Sequence, residues 1–171
     1  TAAVQEYERM EKEGSMETQD YSGRTWLYER MIYVSTKKIL EDYDKTLELS
    51  KETDPELYFR TKYEKLAFRC ASTAEGPQCI EEQLQVVKEH PEDSGEWACL
   101  EAAYYWTKQF EECFRVAKEA IAKFPEDSDH YGHAGDACEE LGRYEEAYWY
   151  WEKRHELDPE KLDCLYGIAF C

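Results

Sequence analysis

The residues His90-Pro91-Glu92-Asp93-Ser94 return, 34 positions on, as Phe124-Pro125-Glu126-Asp127-Ser128. A third Pro-Glu pair, Pro159-Glu160, keeps the 34-residue step, and an earlier one, Pro55-Glu56, lies 36 residues before Pro91. A fixed period in this range marks a stacked array of similar units. The register holds away from the prolines. Twenty-eight residues before each of the three evenly spaced prolines stands an aromatic: Tyr63, Trp97 and Tyr131. Leu66, Leu100 and Ala134 follow three residues later, then Cys70, Tyr104 and Cys138 four further on. These offsets lie on one helical stripe. Twelve residues before each proline comes a small residue, Cys79, Cys113 or Ala147, and eight before it Gln83, Ala117 or Trp151. Each unit therefore reads as two amphipathic helices, the small residue letting them approach closely.

Local signals agree. Gly142 punctuates the turn inside the last full unit. The residue before proline is pushed out of the α region, so Asp158-Pro159 ends a helix. The prolines are expected in the first turn of the next helix, and Ser94 and Ser128 are expected to cap it. In the first of these units Gly76-Pro77 interrupts the pattern, and Pro77 is placed to open the second helix.

The segment from Tyr131 to Pro159 resembles a tetratricopeptide repeat, with Tyr131, Ala134, Gly135, Cys138, Ala147, Trp151 and Pro159 on that family's pattern. Trp97 to Pro125 matches less fully: Glu101 stands where a small residue is usual, and Cys113 replaces Ala. Tyr63 to Pro91 is weaker still. The resemblance implies an all-α fold, a right-handed α-solenoid of antiparallel helix pairs. The expected organisation is one domain over residues 1–171. It holds degenerate helices at 1–57, repeats at 60–93, 94–127 and 128–161, and the start of a truncated repeat at 162–171. In the first part, 1–13 reads as a short helix ending at Gly14, and Tyr21–Val34 and Lys37–Lys51 as a pair. Trp26, Leu27, Met31 and Val34 form one apolar face of that pair; Ile39, Leu40, Tyr43, Leu47 and Leu49 form the other. At the C-terminus Leu165, Ile168 and Ala169 lie on the expected stripe, as in a piece of a longer array.

Composition narrows the partners. The formal net charge is −18, from 39 acidic and 21 basic residues, which repels nucleic acid phosphates and anionic membranes and favours basic ligands. Aromatics are plentiful, 14 Tyr, 5 Trp and 6 Phe, as in a packed domain. Seven Cys with no Cys-x-x-Cys read as packing thiols of a cytoplasmic protein. No apolar run approaches the roughly 20 residues of a membrane span.

The resemblance also implies that the first helix of each unit lines a groove. Its residues would be Glu64 and Phe68, then Ala98, Ala102, Tyr105 and Trp106, then Gly132, His133, Asp136, Glu139 and Glu140. Asp163, Tyr166 and Phe170 would continue the row. Such a groove is acidic and aromatic, suited to a peptide with basic or aromatic residues. Family members that hold the acidic tails of heat-shock chaperones use a clamp of Lys, Asn and Arg. The corresponding positions here are Thr61, Lys65, Gly95, Cys99, Asp129 and His133, so a carboxylate clamp is not expected.

His130 and His133 share a helix face, but without a second ligand pair they read as helix-start polarity, not a metal site. Cys99 and His133 occupy equivalent places in neighbouring units, with no orienting acid or oxyanion hole at recognisable spacing. No catalytic residue, cofactor or metal is expected. The functional expectation is a protein–protein interaction scaffold binding peptide segments. The alternative is a regulatory or spacer module of a larger multidomain protein, acting by self-association through its C-terminal repeat or by domain docking.

Overall fold

The computed structural model describes residues 2–29, 36–72, 75–161 and Gly167. Every regular element among them is helical: α1 (Ala2–Glu13), α2 (Thr18–Glu29), α3 (Thr36–Ser50), α4 (Pro55–Ser72), α5 (Gly76–Glu89), α6 (Ser94–Trp106), α7 (Phe110–Lys123), α8 (Ser128–Glu140) and α9 (Tyr144–Leu157). The chain divides into two compact units, Thr1–Lys65 and Leu66–Cys171.

In the first unit α1 ends as expected at Gly14, whose φ of +66 is a left-handed conformation that glycine adopts without steric cost. Gly23 on α2 admits α1 closely, since a Cβ there would stand 2.7 Å from the Tyr7 hydroxyl. The α2–α3 contact departs from the expected apolar seam. Ile39 and Tyr43 are buried, but Asp42, Thr46 and Ser50 are buried with them. Leu40, Leu47 and Leu49 are only half-buried. The reason is Arg24, fully buried on α2. Its guanidinium donates to Asp42 at 2.7 and 2.5 Å and to Glu11 at 2.8 and 3.1 Å. A buried guanidinium needs this fork of carboxylates, so the seam becomes polar. The Thr46 and Ser50 hydroxyls donate to carbonyls one turn back on α3, which satisfies them in place. The side chains of Trp26 and Leu27, and Met31 and Val34, lie outside the described residues.

The second unit follows the 34-residue register. Leu66, Cys70, Cys79, Leu100, Tyr104, Cys113, Ala134, Cys138, Ala147 and Trp151 all join one core. The small-residue column (Cys79, Cys113, Ala147) has no exposed surface at all. In the aromatic column the Trp97 indole N–H donates to the carbonyl of Pro91 at 3.0 Å, and the Tyr131 hydroxyl to that of Pro125 at 3.1 Å. This repeated bond gives each aromatic its polar partner and fixes the turn to the helix behind it.

Two local expectations are corrected. The caps are Asp93 and Asp127, whose carboxylates accept from the N–H of Gly95 and Asp129 at 3.0 Å. Ser94 and Ser128 are the first helical residues. Pro91 and Pro125 therefore sit in the turns, three residues ahead of α6 and α8; only Pro55 occupies a helix's first position. Carboxylates also suit the positive end of a helix, so Asp takes the capping role that a neighbouring Ser was equipped to fill. Pro77 lies in the first turn of α5, as the sequence implied. Inside the repeats, Lys108 and Gly142 occupy the same turn position with φ of 62 and 71.

The five described cysteines are buried free thiols. Burial, helped by Cys79, pushes the Cys70 thiol up to about 12. Burial also raises Cys79, and raises Cys113 further.

Candidate functional site

Helices α6 and α8 pack side by side in the second unit and carry most of the expected groove residues. Ala98 and Tyr105 are half-buried and Trp106 is exposed. Tyr105 is the hub of this face. Its ring meets Trp106 edge-on at 5.5 Å and Phe110 at 5.6 Å. Its hydroxyl donates to Glu140 Oε1 at 3.4 Å. Burial, reinforced by the charges of Asp136 and Glu140, pushes its pKa up to about 12. Asp136 and Glu140 beside this phenol give the spot its acidic character.

Other expected residues do different work. Ala102 is fully buried and offers no surface. Gly132 lies beneath Arg154; a Cβ there would fall 1.6 Å from Arg154 Nη1. Glu139 accepts from the Trp151 indole N–H at 2.8 Å, which ties it to the core. Glu64 belongs to the first unit, where it is exposed on α4, and Phe68 is half-buried on the part of α4 in the second. Asp163, Tyr166 and Phe170 lie outside the described residues.

Behind this face lies a buried polar cluster that the sequence reading missed. Glu101 has no exposed surface. His130 Nδ1 lies 2.8 Å from its Oε1, and His133 Nδ1 lies 2.5 Å from its Oε2. The two histidines are thus not surface polarity at a helix start; they bracket a carboxylate contributed by the preceding repeat. Two signals pointed here: Glu101 at a small-residue position, and two histidines three apart on one face. Burial disfavours the His133 imidazolium, but the hydrogen bond and charge of Glu101 outweigh it, so its pKa lies above the ordinary value. On its far side the His130 ring reaches Ser94 Oγ at 2.8 Å and stacks on Phe124.

Ser94, His130 and Glu101 have the spacing of a nucleophile, base and orienting acid, but the protons are arranged otherwise. The Ser94 hydroxyl donates to Asp127. A hydroxyl has one proton, so it is not directed at His130 as a nucleophile's would be at its base. Among the described residues no group of three or more His, Cys, Asp and Glu side chains is placed to hold a metal ion. Among them, too, no helix is long and apolar enough to cross a membrane.

The positions of a carboxylate clamp are also occupied differently. Cys99 is buried, and Asp129 is paired with Lys161 at 2.5 Å and Arg154 at 3.5 Å. Burial opposes ionisation of Asp129, but the Lys161 bond prevails and holds its pKa below the usual value. In the first unit Thr61 is buried and Lys65 is paired with Asp44.

No family model matches the chain, and no curated protein matches it. Among solved structures, it is similar to the complex of the TPR2AB domain of yeast Sti1 with pHSP90. The superposition has a TM-score of 0.50 and 15% identity, covering 95% of this chain and 74% of that one. The fold is therefore that of tetratricopeptide repeats, an all-α solenoid of antiparallel helix pairs.

Proposed function

We propose that the chain is a non-catalytic interaction module whose α6–α8 face takes a basic peptide segment. The repeats at 60–93, 94–127 and 128–161 act as its scaffold. The observation that carries this reading is Tyr105 held between Trp106 and Phe110 while donating to Glu140, beside Asp136. An aromatic platform ringed by carboxylates attracts Arg and Lys through charge and through the ring face. The similar Sti1 domain is in complex with pHSP90. This chain has an acid, Asp129, and a Glu101-bound His133 where a carboxylate clamp needs cations, so an acidic ligand is disfavoured here. Free buried thiols fit a reducing compartment such as the cytoplasm.

Fluorescence anisotropy with matched basic and acidic peptides tests the reading. The basic peptide should bind tighter. Raising salt from about 50 to 500 mM should weaken it strongly, since surface charge is screened within a few ångströms at the upper value. Glu140→Lys should weaken it about tenfold, the equivalent of about 1.4 kcal/mol. Equal affinity for both peptides would overturn the proposal.

A further inference from the structure

Glu101 has no exposed surface, and its hydrogen-bond partners are His130 and His133. A carboxylate taken out of water needs positive charge close by. His130 is fully buried, whereas the His133 side chain keeps 12% of its surface. His133 is therefore the ring of the pair through which the cluster exchanges a proton with water. Its other charged neighbours on α8 are Asp129 and Asp136. From α7 the Cys113 thiol donates to the His133 carbonyl at 3.9 Å. From α9 Arg154 lies 3.5 Å from Asp129, which also takes Lys161. Burial disfavours the imidazolium, yet Glu101, with Asp136 and Asp129, holds the pKa of His133 above the ordinary value.

His133, Asp136 and Glu140 stand three and seven residues apart on α8, which is one helical stripe. At about 1.5 Å of rise per residue, Asp136 lies about 4.5 Å and Glu140 about 10.5 Å along the axis from His133. A cation held beside Asp136 is thus close to the His133 ring on the scale of the screening length, about 8 Å at physiological salt.

We propose that binding of a basic peptide to the α6–α8 face expels a proton from His133, so that mildly acidic conditions weaken the complex. The inference rests on the peptide reading given above. The bound Arg or Lys and the His133 imidazolium repel one another. Loss of the imidazolium proton to water leaves the cluster one charge more negative beside the peptide. The linkage is reciprocal: a peptide that binds the neutral ring better also lowers the pKa of that ring. The sign follows. As pH rises through the folded pKa of His133, above 6.5, affinity should increase. Two unit charges about 7 Å apart in a mostly aqueous medium make the increase about threefold.

Isothermal titration calorimetry of an acetylated and amidated Arg-Gly repeat peptide tests this, because the probe keeps its charge from pH 5.5 to 8.5. Affinity should rise about threefold across that range. Near pH 7 the heat of binding should vary with the ionisation enthalpy of the buffer, as proton release requires. The His133 ring, followed by NMR, should titrate at lower pH when the peptide is bound. His133→Gln keeps a side-chain N–H for Glu101 and should abolish both the pH dependence and the proton release. His90→Gln, at an exposed position outside the cluster, should keep both. Affinity independent of pH, or a dependence that survives His133→Gln, would overturn this inference and leave the peptide reading standing. No binding at any pH would overturn both.

Discussion

The helix pairs α6–α7 and α8–α9 share one register but fill their interiors in opposite ways. In the later repeat Gly135 on α8 admits the Trp151 indole of α9; a Cβ on Gly135 would come within 2.8 Å of that ring. The same register sets Glu101 opposite Ala117 in the earlier repeat, so the large residue lies on the other helix. Volume is conserved while its source is exchanged, as close packing demands. The exchange has a chemical cost, because the large residue in the earlier repeat is a carboxylate. Its burial is compensated by His130 and His133, borrowed from α8. The later repeat is closed by shape, and the earlier one by charge and hydrogen bonds that depend on its neighbour.

Breaking the charged solution should have the largest effect. Glu101→Ala leaves the buried His130 and the half-buried His133 without this acceptor and should cost about 3 kcal/mol, read as a lower urea midpoint by circular dichroism. Breaking the shape solution comes next. Gly135→Ala should cost about 2 kcal/mol by overpacking Trp151, with a blue- or red-shifted tryptophan emission as a second readout.

Only the charged solution should respond to pH. Because the folded pKa of His133 is raised, its contribution is complete below its unfolded value, near 6.5, and is lost as pH rises through the folded one. Stability should therefore decline as pH rises above about 6.5, with a slope of at most about 1.4 kcal/mol per pH unit for one proton. Glu101→Gln should flatten that dependence. A thermal-melt series at pH 5.5 to 8.5 checks it; an unchanged slope in the variant would assign the titration elsewhere.

The smallest contrast lies in the turns. Lys108 carries the left-handed conformation that Gly142 carries one repeat later. A side chain there is strained, so Lys108→Gly should stabilise by about 1 kcal/mol and Gly142→Ala should destabilise by a similar amount. Chemical denaturation of the two variants side by side would show whether the signs are opposite.

The 34-residue register made the fold of the second unit legible. Its columns named residues that are buried in the structure, because a stripe at helical spacing has one way to hide its apolar side chains. It marked Glu101 as an exception but not as the centre of a cluster. The histidines that answer it lie 29 and 32 residues away, on a helix whose rotation no single stripe reveals. Arg24 illustrates the same limit in the first unit. A lone arginine in a helix reads as solvent-facing until a carboxylate on the next helix is seen to meet it. On the candidate face, the sequence named Tyr105, Trp106 and Glu140, but Ala102 and Gly132 are buried. Small residues at such positions set the distance between backbones, whichever side faces the ligand.

The buried thiols have a kinetic consequence. Held protonated and out of water, Cys70, Cys79 and Cys113 cannot be alkylated until the helices around them part, since only the thiolate attacks. In the second unit the described helix pairs carry buried thiols in turn: Cys70 and Cys79, then Cys99 and Cys113, then Cys138. The order in which they are trapped by a slow alkylating reagent would therefore time the opening of the second unit, helix pair by helix pair.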